Sequence, residues 1–439
     1  MKRFVIGSLA VCGLWTASWV EGQVIPNELL TEARASALAT SPEVLRQRLG
    51  DLLTECENAP DDGGGREGAD DVTCLLLEGL VHSFSAEHEL GRLRFAAALE
   101  GLENRDDPLG VALVHLLMAE AERQQGAFER AGDLYRRGFV ALESARSSSA
   151  PIQLDTFELF FRLQGVPAGA IDQFRQVAQL VRPMITAGFE VAMRMGYAMW
   201  LGQAGTLDSA IEQLERALEL SRVHLLSLGD ADVLNELSRW HLAAEHFEEV
   251  RTLAAGGVAA ADRSGQSEIV YSLLWRKAQA ELALGLPREA VATGERIRDR
   301  ARLAGDGAKE GEALSDLAEA LALAGDVERA RTTFDEAWGA ARRADSAWTS
   351  LLVAVRAGSF YLQLGEYERS VGFLEEALKV PSGWERQPRE AMVALRINVY
   401  LLLSEVYHLL GRSQLMAEKV DAAQALLQTV DIPEAEALA

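Results

Sequence analysis

Residues 191–220 read VAMRMGYAMWLGQAGTLDSAIEQLERALEL, and this stretch decides the fold. Apolar residues recur at helical spacing on both sides of Gly205, with no period-two alternation, so two helices joined by a short turn are predicted. Gly205 falls where the first helix should stop in a left-handed residue, a conformation that glycine adopts cheaply. Asp208 then lies in the first turn of the second helix, where a carboxylate complements the dipole. A turn this short makes the two helices antiparallel neighbours.

The same pattern recurs along the chain. Gly126, Gly165, Gly205, Gly285, Gly325, Gly365 and Gly411, with Glu245 in the one empty slot, are separated by steps of 39, 40, 40, 40, 40, 40 and 46 residues. A fixed period of this kind marks a tandem array. Five residues after the slot stands a small residue (Ala131, Ala170, Ala210, Ala290, Ala330), and nine after it a large apolar one (Tyr135, Phe174, Leu214, Phe334, Leu374). Twelve after it another small residue is frequent (Gly138, Ala217, Gly257, Ala337, Ala377), and seven before it the position is small again, as at Ala198, Ala318 and Gly358. Pro167 and Pro287 stand two after the slot, suited to a first helical turn because the missing N–H would be unpaired there. Small residues let paired helices approach closely and large ones fill the space between units. That is the economy of a solenoid, in which each unit contacts only its neighbours.

Ala198, Gly205, Leu207, Ala210, Leu214 and Ala217, and again Gly358, Gly365, Tyr367, Ser370, Leu374 and Ala377, follow a spacing that resembles the tetratricopeptide repeat (TPR). The resemblance covers residues 72–427 and departs from the family in period, 40 residues here against about 34. The extra residues lengthen each helix by about 4.5 Å. The expected fold is all-α, a right-handed α-solenoid of about nine antiparallel helix pairs, with HEAT-like repeats, which share the longer period, as the alternative. The first unit is weak, with Ala86 in the glycine slot, Gly79 before it and Phe95 after it. Ser41-Pro42-Glu43 opens a further helix, through about Glu55, that caps the array.

The resemblance also implies where a partner binds. In TPR proteins the first helix of each repeat lines a concave groove, with residues about ten, nine and six positions before the glycine facing the ligand. Carried over, this gives Met195, Met199, Asn235, Arg239, Trp275, Arg276, Gln279 and Arg356 as the expected binding residues, with Asp316 and Glu319 in the intervening unit. Arginine forks suit a peptide carboxylate and Trp275 an apolar anchor. The alternative is that Trp275 packs between helices and that the arginines reflect composition, since 38 of the 43 basic residues are arginine.

Domain boundaries follow. Lys2 and Arg3 precede an apolar run from Phe4 to Val20, and Val20-Glu21-Gly22 offers a cleavage site, so residues 1–22 read as an export signal. A lipoprotein signal ending at Cys12 fits less well, because Val11 is too large for the residue before a lipidated cysteine; an uncleaved anchor is the other alternative. Residues 23–71 hold the N-terminal cap and a Gly/Asp-rich loop, 72–427 the solenoid and 428–439 an acidic tail. No later stretch approaches 18 consecutive apolar residues. The expected compartment is the periplasm or the exterior.

Export fits the cysteines. Without Cys12 only Cys56 and Cys74 remain, an even pair flanking the loop Asp61–Asp71. A disulfide there would fasten the cap helix to the first repeat, stabilising by about 3 kcal/mol in the chain-entropy picture. Two buried free thiols are the alternative.

The formal charge is −23, and removal of residues 1–22 leaves 41 basic and 65 acidic residues. Such a surface repels nucleic acid and anionic membrane and favours basic proteins or peptides, although solubility of a long array explains it equally. No phosphate-binding Gly-rich loop and no Gly-x-Ser-x-Gly elbow occurs. His241 and His246, five apart, are expected on different faces of one helix, so no metal site is expected. The Asp61–Asp71 loop lacks the ligand pattern of an EF-hand. The last repeat ends about a dozen residues before Ala439, which leaves no room for an appended catalytic domain. The expected protein is therefore a non-catalytic scaffold without cofactor that binds a protein or peptide in the cell envelope; the alternative is a self-associating structural component.

Overall fold

The computed structural model describes residues 42–57, 69–85, 87–148, 182–224, 229–379 and 389–428, all in helices and the turns between them. The chain divides into two compact units, residues 1–273 and 274–439. In the first, helix α1 (Pro42–Glu57) precedes the pairs α2 (Ala69–Phe84) with α3 (His88–Asn104), α4 (Pro108–Gln124) with α5 (Phe128–Ser147), α6 (Arg182–Gln203) with α7 (Leu207–Val223), and α8 (Gly229–Ala243) with α9 (Phe247–Ser264). The boundary falls inside α10 (Ser267–Ala283). The second unit continues with α11 (Pro287–Ala304), α12 (Gly307–Leu323) with α13 (Val327–Arg343), α14 (Ala347–Gln363) with α15 (Tyr367–Leu378), and α16 (Arg389–Leu409) with α17 (Ser413–Leu427). Consecutive helices of a pair pack against each other, so the architecture is an all-α, TPR-like array of helix pairs.

The turns explain the period. Every expected slot glycine among the described residues is left-handed, from Gly126 (φ 76°) to Gly411 (φ 71°), and Glu245 in the empty slot takes φ 60°. A second left-handed series, Gly265, Gly305 and Asp345, lies midway between slots. From Glu245 to Gly365 a left-handed residue therefore falls every twenty residues, ending a helix each time. After each, the next N–H reaches five residues back, as from Leu286 to the Glu281 carbonyl (2.8 Å) and from Asp326 to that of Leu321 (2.9 Å), which satisfies one orphan carbonyl at each helix end. Asp306, Asp326 and Ser346 then open the following helices by accepting from the N–H groups of Lys309, Arg329 and Thr349.

A non-glycine residue in this conformation costs about 1–2 kcal/mol, part of which glycine returns as unfolded-chain entropy. Glu245→Gly is thus expected to stabilise the protein by about 0.5–1 kcal/mol. Thermal unfolding checks this, and a lowered midpoint would contradict it.

Packing follows the small-and-large pattern. Ala131, Ala210, Ala290 and Ala330 are buried, as are Tyr135, Leu214, Phe334 and Leu374 nine positions after their slots. At Gly358 the approach is so close that a Cβ would lie 2.8 Å from the Leu374 side chain, and the Ser370 hydroxyl donates to the Gly358 carbonyl at 2.8 Å. On the second-helix side of the second unit, Arg329 reaches Glu295 and Arg302 reaches Glu336, both at 3.1 Å, while Arg369 reaches Asp335 at 3.0 Å. These exposed pairs join successive repeats, each contributing at most about 1 kcal/mol.

Two expectations need qualification. The pair expected around Gly165 lies outside the described residues, yet α6 packs directly on α5. The Trp200 indole N–H donates to the Phe128 carbonyl at 2.6 Å, and the Tyr135 and Tyr197 rings are 5.6 Å apart. The neighbour stacked on the α4–α5 pair is therefore the 182–223 pair. Second, Met392–Leu409 averages a hydropathy of 1.2 over 18 residues, long and apolar enough to cross a membrane. Its Val399, Leu403, Val406 and Tyr407 are buried in a hydrophobic cluster with Leu374 and Ala377, so that apolar face serves as core. Near the other end, α1 and α2 bring Cys56 and Cys74 to a Cα separation of 5.8 Å, within the span of a disulfide. The export signal, most of the Asp61–Asp71 loop and the acidic tail beyond residue 428 lie outside the described residues.

Candidate binding face

The expected binding residues do not share one environment. Met195 and Met199 are corrected: both are buried in the hydrophobic core of the first unit. The physical reason is the seating of α6. Gly196, between them, lies so close to the Glu120 carboxylate and the Tyr135 hydroxyl that a Cβ would meet them at 2.7 and 3.0 Å. That row of α6 is covered by α4 and α5, and burial stabilises each methionine by about 1.5–3 kcal/mol.

In α8, Asn235 is half-buried and Arg239 is exposed, its guanidinium 3.1 Å from Glu236 and 5.5 Å from the centre of the Trp240 ring. Trp275 on α10 is 39% exposed, which leaves its ring accessible, whereas Arg276 and Gln279 are half-buried. Arg356 on α14 is paired with Asp316 on α12 and lies 3.8 Å from Glu319. Arg239 and Arg356 thus spend their charge on this chain's own carboxylates, which corrects the picture of arginine forks waiting for a peptide carboxylate.

What the second unit presents instead is a carboxylate row. Glu312, Asp316 and Glu319 fall at i, i+4 and i+7 on one stripe of α12. Thr349 donates to Glu312 at 3.3 Å, and Arg356 is the cation that serves Asp316 and Glu319. Burial, reinforced by Asp316, raises the Glu312 pKa; burial also raises that of Asp316, with Glu319 adding to the rise and Arg356 opposing it. Held charges that are costly to keep are relieved by a further cation. Asp316 and Glu319 were within reach of the carried-over groove rule; Glu312 was missed, and its helical spacing from them was the available signal.

A second acid behaves alike. Asp232 on α8 has its pKa pushed up to about 6 by burial, with Glu236 adding to the rise, although Gln266 donates to it at 3.0 Å.

The histidine expectation is also corrected. His241 and His246 are not on one continuous helix, because α8 ends between them, and their Nδ1 atoms approach to 3.2 Å. Burial lowers the His241 pKa, and His246 lowers it further. Among the described residues no three ligating side chains converge.

Comparison with known proteins bears on the fold. A tetratricopeptide-repeat family profile, TPR_8, matches residues 353–382, which hold the Gly358, Gly365 and Leu374 pattern. No curated protein matches the chain. Among solved structures, the apo form of RapI aligns over 82% of this chain and 99% of its own at 9% identity and a TM-score of 0.46. Aspartyl phosphate phosphatase F from Bacillus subtilis aligns over 88% and 95% at 12% identity and 0.45. A signal-transduction ATPase with a tetratricopeptide repeat sensor from Pyrococcus horikoshii aligns over 91% and 66% at 15% and 0.44. Likenesses at this level transfer no activity.

Proposed function

We propose that the protein is a non-catalytic scaffold that binds a protein or peptide partner, and that the partner presents a basic segment to α12 of the second unit. The observation that carries this reading is the row Glu312, Asp316 and Glu319, in which Asp316 and Glu319 share the Arg356 guanidinium and Glu312 accepts only from the Thr349 hydroxyl among the described contacts, on the helix face that lines the groove in TPR-like repeats. The formal charge of −23 extends the same preference to longer range and favours fast, salt-sensitive association. Trp275, with its accessible ring, suits an apolar anchor on the same unit. Capture tests the reading: the chain from residue 23, immobilised and exposed to envelope extract, should retain a saturable partner rich in Lys and Arg that elutes as salt rises. Capture of the chain alone would favour self-association instead.

Residues 1–22 support export, with the periplasm or exterior as the compartment, and the scaffold is then not retained by a membrane once the signal is removed. The 5.8 Å Cα separation of Cys56 and Cys74 supports a disulfide between α1 and α2. Thiol titration of the denatured, unreduced protein is expected to find no reactive thiol in the chain from residue 23; two would reject the bridge.

A further inference from the structure

The turn between α8 and α9 differs from its counterparts in what its two anchoring positions carry. Here the His246 N–H donates to the His241 carbonyl at 2.8 Å and the Glu245 N–H to that of Leu242 at 3.1 Å, with Glu245 left-handed between them. This backbone geometry brings the side chains on either side of the turn into contact, a place ordinarily filled by apolar residues. The corresponding pairs at the other described slots are Glu122 with Ala127, Leu201 with Thr206, Glu281 with Leu286, Leu321 with Asp326, Tyr361 with Glu366, and Tyr407 with Arg412. In this repeat alone of that set, both positions hold an imidazole.

The two Nδ1 atoms are 3.2 Å apart. Two nitrogens bound to one tetrahedral ion at about 2.0–2.1 Å would stand about 3.3 Å from each other. His241 is buried and fixed by its place in α8, while His246 is exposed, so one face of the pair is open to solvent. Glu249 on α9 and Glu215 on α7 lie close enough to act on His241 electrostatically and make the surroundings favourable to a cation. Imidazole is largely neutral above its ordinary pKa of about 6.5, which is the ligating form.

We propose that His241 and His246 form a two-nitrogen chelate for a divalent transition ion of the zinc class, with water completing the coordination. No third protein ligand converges on the pair among the described residues, so the site is an exchangeable one and not a closed structural site. An ion there would clamp the left-handed Glu245 turn and join the end of α8 to the start of α9.

The test is titration of the tag-free protein with zinc chloride alone, followed by calorimetry and by thermal unfolding at several zinc concentrations above pH 7. One zinc-dependent site and a rising unfolding midpoint are expected. The informative variant is His246→Asn. His246 makes no side-chain cap bond and asparagine is favoured at a helix start, which offsets the loss of its hydrogen bond to His241, so the metal-free midpoint should change little. Zinc binding should weaken at least tenfold and the zinc-dependent rise in midpoint should vanish. Absence of zinc-dependent heat and midpoint shift in the unaltered protein, or an undiminished site in His246→Asn, would overturn the proposal.

Discussion

Replacing Glu120 with Ala is expected to lower the stability of the first unit by about 3–5 kcal/mol, the range found when one member of a buried ion pair is removed. Glu120, Arg123 and Tyr135 are each at most 6% exposed. The Glu120 carboxylate accepts from Arg123 at 2.7 Å and from the Tyr135 hydroxyl, while Arg123 also donates to Gln203 at 3.0 Å, so the cluster ties α4 to α5 and α6. Burial alone would lower the Arg123 pKa, but Glu120 more than offsets it; burial raises that of Tyr135 well above its usual range. Without Glu120 the Tyr135 phenol loses its acceptor and the Arg123 guanidinium its compensating carboxylate in a buried site. Denaturant unfolding measures the loss. The triple replacement Glu120→Leu, Arg123→Met and Tyr135→Phe is expected to recover most of it, because an apolar core of similar volume leaves no charge uncompensated. A drop under 1 kcal/mol for Glu120→Ala would show that water reaches the cluster.

The second large effect concerns binding. Glu312→Gln combined with Glu319→Lys is expected to weaken a basic partner by at least about 10-fold, since the loss of even one charge-assisted hydrogen bond costs about 1.5–3 kcal/mol. Asp316 is left unaltered so that Arg356 keeps its closer carboxylate; the exposed Glu319 contact at 3.8 Å contributes at most about 1 kcal/mol. The thermal midpoint should therefore fall only slightly while the equilibrium constant falls much more. The loss should shrink as salt rises, because screening has already removed part of the attraction. Equal affinity in the double variant would place the partner elsewhere.

The repeat architecture was legible because it is written in residues that have few substitutes. A left-handed helix stop is cheapest for glycine, so Gly205, Gly285, Gly325 and Gly365 announce it, and the period then located even Glu245, where the structure pays the steric cost. The second series, Gly265, Gly305 and Asp345, is equally regular in the sequence, although an aspartate at its third position makes it less conspicuous. The site was less legible, because a position on a helix face does not state what covers it. Met199 sits at the same register as Arg239 and Glu319, and Met195 at that of Asn235 and Trp275, yet the direct seating of α6 on α5 buries both methionines. Nor does spacing state where a helix ends: His241 and His246 meet only because the left-handed Glu245 stops α8 between them. The pairing of Arg356 with Asp316, forty residues away, follows from stacking and could not be read locally.

A partner held by Glu312, Asp316 and Glu319 must lie along the acidic stripe of α12. A photo-crosslinking amino acid placed at Glu319 on that stripe, and separately at the exposed Glu336 on α13, tests it most directly in envelope extract. One basic partner should be crosslinked from position 319, should be lost at high salt, and should not be crosslinked from position 336. Crosslinking of the partner from position 336 and not from 319 would contradict it.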